Sequence, residues 1–139
     1  IIHFAQISKK GLSYAKAAIG EKKSDKFDEY SNKLIKYEEI SDRIEYEIAT
    51  FLNGVSAGDI SEDTSQQIKS MYKIIKELES LGDSGETISR ILSRKNIHKK
   101  VFDADAIKNL NAMADAVIEA NQGVDAEVSE EVAAEADAE

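Results

Sequence analysis

Two short stretches of this chain set carboxylates where they can act together. "EEISDRIE", residues 38–45, carries Glu38, Asp42 and Glu45, and "ESLGDSGE", residues 79–86, carries Glu79, Asp83 and Glu86. Both follow the spacing acid-x-x-x-Asp-x-x-Glu, which on a helix stacks the three groups on neighbouring turns of one face. Like charges so placed repel by a few tenths of a kcal/mol per pair, and an ordinary charged flank relieves this with Lys or Arg three or four residues away. Glu39 has that relief from Arg43, but Glu38, Asp42 and Glu45 have no basic residue at either spacing. In the second row Lys76 serves Glu79 and Arg90 serves Glu86, which leaves Asp83 between two acids. Uncompensated carboxylates are what a hard, oxygen-seeking cation takes as ligands. A solvated helix flank is the commoner use of such positions, and spacing alone leaves both readings open, with the flank ahead.

Other chemistry finds little support. There is no Glu-x-x-His, so a di-iron bundle lacks its histidine ligands. His3 and His98 lie near helix ends, away from both acidic rows. No Gly-x-Ser-x-Gly, phosphate-binding glycine loop or nucleophile beside a base occurs. Tyr14, Tyr30, Tyr37 and Tyr72 fall on or beside apolar seams and read as core or boundary residues. The chain has no cysteine, which excludes disulfides, thiolate ligands and a cysteine nucleophile. A metal-dependent enzyme or iron-storage bundle is therefore the weakest reading, and the expectation is a non-enzymatic protein.

The elements that must carry the rows follow from apolar periodicity and from the absence of proline. A first helix is predicted from Ile2 to Ile19, with Phe4, Ile7, Gly11, Tyr14 and Ala18 along one seam. Gly20 ends it and Ser24 is the expected cap of the next. A second helix, about 25–53, shows a heptad of Phe27, Tyr30, Leu34, Tyr37, Ser41, Ile44, Ile48 and Phe51. "NGVSAGD", residues 53–59, is a turn, and Ser61 followed by Glu62 and Asp63 starts the third helix, about 62–95. Its seam runs Ile68, Met71, Ile75, Leu78, Gly82, Gly85, Ser89 and Leu92, and Ile74, Leu81, Ile88 and Ile91 form a second stripe. A helix apolar on two faces is expected to be the shared wall of a bundle. A fourth helix opens at Asp103 with Ile107, Leu110, Ala114 and Val117 on its apolar side.

Counted in the same heptad, the two acidic rows sit at the same offset from their seams. Gly82 and Gly85 fall on the seam itself, beside Glu79, Asp83 and Glu86. Each glycine costs roughly 0.5–1 kcal/mol relative to alanine inside a helix, and the expected return is a close approach by a neighbouring helix. The fold class is thus all-α, an elongated antiparallel bundle with helices some 40–50 Å long at 1.5 Å per residue.

The net charge of −9 is concentrated in residues 124–139, which hold seven acids and no base. No basic face for nucleic acid is present. The one basic cluster, "RKNIHKK" at 94–100, is expected to complement a helix C-terminus, with phosphate or acidic lipid as the alternative ligand. No apolar run is long enough to span a membrane, and no signal-peptide layout opens the chain. The missing initiator methionine is read as the mark of a fragment.

"IKELESLGDSGETISRIL" resembles the signature of the PhoU family, with Leu78-Glu79-Ser80-Leu81-Gly82-Asp83 as its core, and "EEISDRIEYEI" resembles the family's other half-motif. The resemblance covers about residues 3–96. It implies a PhoU-like three-helix unit over residues 1–100, and over 101–139 the opening helix of a second, incomplete unit with an acidic tail. Glu131 and Glu135 would belong to that unit's acidic row. The resemblance also implies a divalent or trivalent metal ion held by Glu38, Asp42, Glu79 and Asp83; Glu45 and Glu86 join only on spacing. Gly85 and Thr87 stand where family signatures often carry Ala and Asn, so any ligand role of that Asn is absent. The implied function is regulation of phosphate uptake at the cytoplasmic face of the cell membrane. The expected partner is a membrane transporter domain, such as that of a sodium/phosphate cotransporter of which this chain would be the cytosolic part, or a phosphate sensor. A homo-oligomer is a further expectation. The alternative is a purely structural helical interaction module without metal.

Overall fold

The computed structural model describes the backbone of residues 1–136 and the side chains of residues 1–123, so Glu131 and Glu135 lie outside the described side chains. Four helices make up the described chain: α1 (Ile2–Ile19), α2 (Ser24–Ser56), α3 (Glu62–Ile97) and α4 (Ala104–Ala136). The all-α expectation holds.

The starts of α3 and α4 follow local chemistry, whereas α1 and α2 begin at Ile1 and Lys23 without a side-chain cap. Ser61 caps α3 by accepting a hydrogen bond from the Thr64 backbone N–H at 3.1 Å, and Glu62 and Asp63 occupy its first turn. Asp103 caps α4 in the same way, accepting from the Ala106 N–H at 2.7 Å. Ser24 does not cap α2. The cap residue is Lys23, whose side chain makes no capping bond, and Ser24 is the first helical residue. The Glu21 carboxylate accepts from the N–H groups of Lys22 and Lys23, just ahead of the helix.

α3 has two neighbours, as its two apolar faces lead one to expect, but α1 has three and is the central helix. α1 packs against α2, α3 and α4, whereas α3 packs against α1 and α2. The single seam read on α1 is accordingly too narrow: Ala5, Ser8, Leu12, Ala15 and Ile19 are buried together with Phe4, Gly11 and Ala18. Small residues predominate because three neighbours must approach one 18-residue helix. Phe4, Ala5, Ile75 and Leu78 form one apolar cluster, and Ala18, Ile19, Phe27 and Leu92 form another nearer the opposite end.

The heptad of α2 also needs correction at its end. Phe51 is 69% exposed, while Leu52 is 4% exposed and takes the core position. An α-helix turns once per 3.6 residues, so a 3.5-residue seam drifts by about 20° per heptad. After three heptads the buried stripe has moved on by one residue. Met71 likewise lies at the edge of the α3 seam, with 38% of its surface open.

Between the two apolar clusters the bundle has a narrow waist. Gly11 of α1, Ser41 of α2 and Gly82 and Gly85 of α3 meet there around a small cavity that Glu38 also lines. A Cβ on Gly82 would stand 3.0 Å from Ser41 Oγ, and a Cβ on Gly85 would stand 3.0 Å from Leu34 Cδ2. Both distances are shorter than ordinary van der Waals contact. The glycines therefore do bring α3 close to α2, which is the return expected for their helical cost. Ser8 donates to the Phe4 carbonyl at 3.1 Å, and the Ser31 and Ser89 hydroxyls share a hydrogen bond at 2.6 Å.

Candidate metal centre

The acidic rows flank this waist. α2 and α3 run antiparallel, so a row ascending one helix meets a row descending the other. Glu38, at one end of the α2 row, feels the charge of Glu86 and Asp83 across the groove. Glu79, at the opposite end of the α3 row, feels Glu45 and Asp42. The matching heptad offset of the two rows and the close approach at Gly82 together produce this face-to-face arrangement. Neither alone would do so.

Glu38, Asp42 and Asp83 come closest. Each offers one carboxylate oxygen, and the three oxygens lie within 4.8 Å of one another. Glu38 is half-buried at the edge of the waist, and Asp42 and Asp83 are exposed. The structure thus brings together three of the four leading candidates. Glu79 stands outside this group, one turn along α3, and so does Glu45 on α2. Glu86 is held in an ion pair by Arg90, the relief foreseen from its spacing. Lys76 lowers the cost of ionising Glu79 without reaching ion-pair distance.

The electrostatics report a site short of positive charge. The Glu38 carboxyl is pushed above the ordinary glutamate range, first by burial and then by the charges of Asp42, Glu86 and Asp83. The Glu79 carboxyl is also pushed up, first by burial and then by Asp83, with Lys76 opposing. Glu29, on the same helix as Glu38 but beside Lys33, shifts the opposite way because its hydrogen bond and ion pair with that lysine favour the charged form.

The donor set fits a hard cation. It is made of oxygens only, it comes from two helices fixed by their own packing, and among the described residues no ion pair engages Glu38, Asp42 or Asp83. Three carboxylates from the protein leave the remaining positions of a six-coordinate ion open to water or to another oxygen ligand. His3 and His98 are exposed, and neither belongs to the group of Glu38, Asp42 and Asp83. Sequence spacing singled out the rows but not the membership of the trio, because which acids meet depends on how α2 and α3 align at Ser41 and Gly82.

Comparison with known proteins adds one finding: the family model described as the PhoU domain matches residues 1–92. No curated protein and no solved structure matches the chain.

Proposed function

The chain belongs to the PhoU family, and from that premise we propose that it is a regulatory domain controlling phosphate uptake, with a metal ion held between α2 and α3. The PhoU domain is associated with regulation of phosphate transport and is not an enzymatic fold. Its proposed place here is the cytoplasmic membrane face, beside a transporter domain or phosphate sensor. None of the described helices is long and apolar enough to cross a membrane.

The observation that carries the metal reading is the convergence of Glu38, Asp42 and Asp83 from two helices to within 4.8 Å. Glu79 stands by as an additional ligand from the next turn of α3, and Glu45 and Glu86 complete the acidic surroundings. A bound divalent or trivalent cation would supply the positive charge that the two rows lack. The chain's own contribution is to hold the carboxylates in register. Gly82 and Gly85 set the distance between the helices, and the Ser41 contact fixes their alignment. The regulatory partner then meets a bundle stiffened at its waist.

Isothermal titration with Mg²⁺, Mn²⁺, Zn²⁺ and Fe³⁺ on the natural protein and on Asp42→Asn/Asp83→Asn tests the site. Binding by the natural protein and its loss in the variant is the expected result. Equal heats from both proteins would remove the assignment. The competing reading, a helical interaction module without metal, draws on the exposure of Asp42 and Asp83 and on the Arg90 partner of Glu86. It requires that none of these ions raises the melting temperature.

A further inference from the structure

Although the chain is acidic overall, seven of its 18 basic residues collect at one end of the bundle. α1 ends and α2 begins there, with Lys22, Lys23 and Lys26, and α3 ends and α4 begins there, with Arg94, Lys95, Lys99 and Lys100. The two junctions enclose a cleft of about 530 Å³ lined by Lys22, Lys23, Lys95, Lys99, Lys100 and Val101, among others. The opposite end, at the α2–α3 turn, carries Asp59, Glu62 and Asp63 and no basic residue between positions 53 and 63. The two ends of the bundle therefore differ in their share of basic residues.

None of the cations at this end forms an ion pair among the described residues. The three ion pairs among the described residues use Lys16, Lys33 and Arg90. Five acids stand at the same junctions: Glu21 and Asp103 are committed to backbone groups, and Asp25, Asp28 and Asp105 leave this end with a small surplus of positive charge. Complementing the α3 C-terminus does not occupy the lysines either. That end is closed by backbone bonds from His98, Lys99 and Lys100 to carbonyls of the last turn, with Lys99 at a φ of 52°. Lys95 lies over the Phe102 ring at 4.8 Å, and Lys26 contributes to the charge around Glu29.

Two apolar side chains stand among these charges. Val101 is 83% exposed and Ile97 is 75% exposed, more than any other large apolar residue described. Exposed aliphatic residues framed by lysine and arginine suit a surface that is anionic outside and apolar just beneath. We propose that this end of the bundle docks on an anionic phospholipid bilayer, with the basic residues on headgroup phosphates and Ile97 and Val101 entering the interface. An acidic protein partner would match the charges but gives the two aliphatic side chains less to enter. The carboxylates of Glu38, Asp42 and Asp83 do not prevent the approach. They lie at least about 15 Å away along the helix axes, beyond a Debye length of about 8 Å.

This inference deepens the regulatory reading by naming the surface that meets the membrane, but it uses none of the metal ligands, so the two can fail separately. The test is co-sedimentation of the whole chain with phosphatidylcholine vesicles, with and without about one-third phosphatidylglycerol, at low and high salt. Binding to the anionic vesicles alone, weakened by salt, is expected. Each lysine near such a surface is worth about five-fold in binding, so Lys22→Gln/Lys99→Gln/Lys100→Gln should lower it roughly a hundred-fold. Ile97→Ser/Val101→Ser should lower it at least about ten-fold, and Asp42→Asn/Asp83→Asn should leave it unchanged. No preference for anionic vesicles, or an unaltered lysine variant, would overturn the proposal. Complete displacement by inorganic phosphate at constant ionic strength would also overturn it, by making the cleft a site for the free ion.

Discussion

The close approach of α2 and α3 can be measured through Gly82→Ala. In an exposed helix this change would stabilise by about 0.5–1 kcal/mol, the helical cost of glycine. Here the new Cβ would stand 3.0 Å from Ser41 Oγ and 3.4 Å from Ser41 Cβ, and Ser41 is only 2% exposed. Crowding of this kind costs roughly 1–3 kcal/mol when neighbours cannot yield. The net expectation is destabilisation by about 0–2 kcal/mol. Ser41→Ala should act in the other direction. Its hydroxyl oxygen is buried without a hydrogen-bond partner, a situation that costs about 1–3 kcal/mol, and alanine is also the better helix former. With that oxygen gone, the methyl introduced by Gly82→Ala would face only a Cβ at 3.4 Å. The double variant should then recover the helical gain and exceed the natural protein in stability by about 2–4 kcal/mol, with a favourable coupling of about 1–2 kcal/mol. Urea denaturation of the four proteins gives the cycle. If Gly82→Ala alone stabilises by about 1 kcal/mol and the two changes are additive, the helices are not in close contact and the account of the waist is wrong.

Stability of the metal-free protein should rise as pH falls from neutral towards the glutamate range. Glu38 and Glu79 have folded-state values above the unfolded one, so the folded state binds the extra protons there, and its stability falls as pH rises through that window. Melting temperature against pH in the presence of a chelator checks the sign, and saturating metal should flatten the dependence. In the metal-free protein Asp42→Asn should stabilise by a few tenths of a kcal/mol for each like-charge pair removed, read from the same melts. Leu52→Ala should cost about 2–5 kcal/mol, whereas Phe51→Ala should stay within about 0.5 kcal/mol; reversal of that order would restore the strict heptad. Asp103→Ala should cost about 0.5–2 kcal/mol through loss of the α4 cap, and Ser24→Ala should be nearly neutral. Urea denaturation reads all four of these variants.

What could be read from the residues was local. Helix starts at Ser61 and Asp103 follow from side chains acting on their own backbone, and these needed no knowledge of the fold. The echo between the acidic rows, and the purpose of Gly82 and Gly85, were visible because a periodic seam fixes which residues point the same way. Relations between helices were not visible. That α1 is the central helix depends on which of several apolar faces meet, and Ala5, Ala15 and Ala18 carry too little hydrophobic signal to announce it. The exchange of Phe51 for Leu52 reflects the drift of a real helix from a 3.5-residue repeat. Glu79 looked equal to Glu38 in spacing, yet the antiparallel alignment places Asp83, not Glu79, against Glu38 and Asp42. Ser24 had the right residue type for a cap but lies one position inside the helix.

The central claim is that Glu38, Asp42 and Asp83 hold a metal ion between α2 and α3. Anomalous diffraction from crystals of the natural protein grown with Mn²⁺ addresses it directly. The account predicts an anomalous peak at coordination distance from carboxylate oxygens of all three residues. Peaks confined to other acids, or none at saturating Mn²⁺, would contradict it.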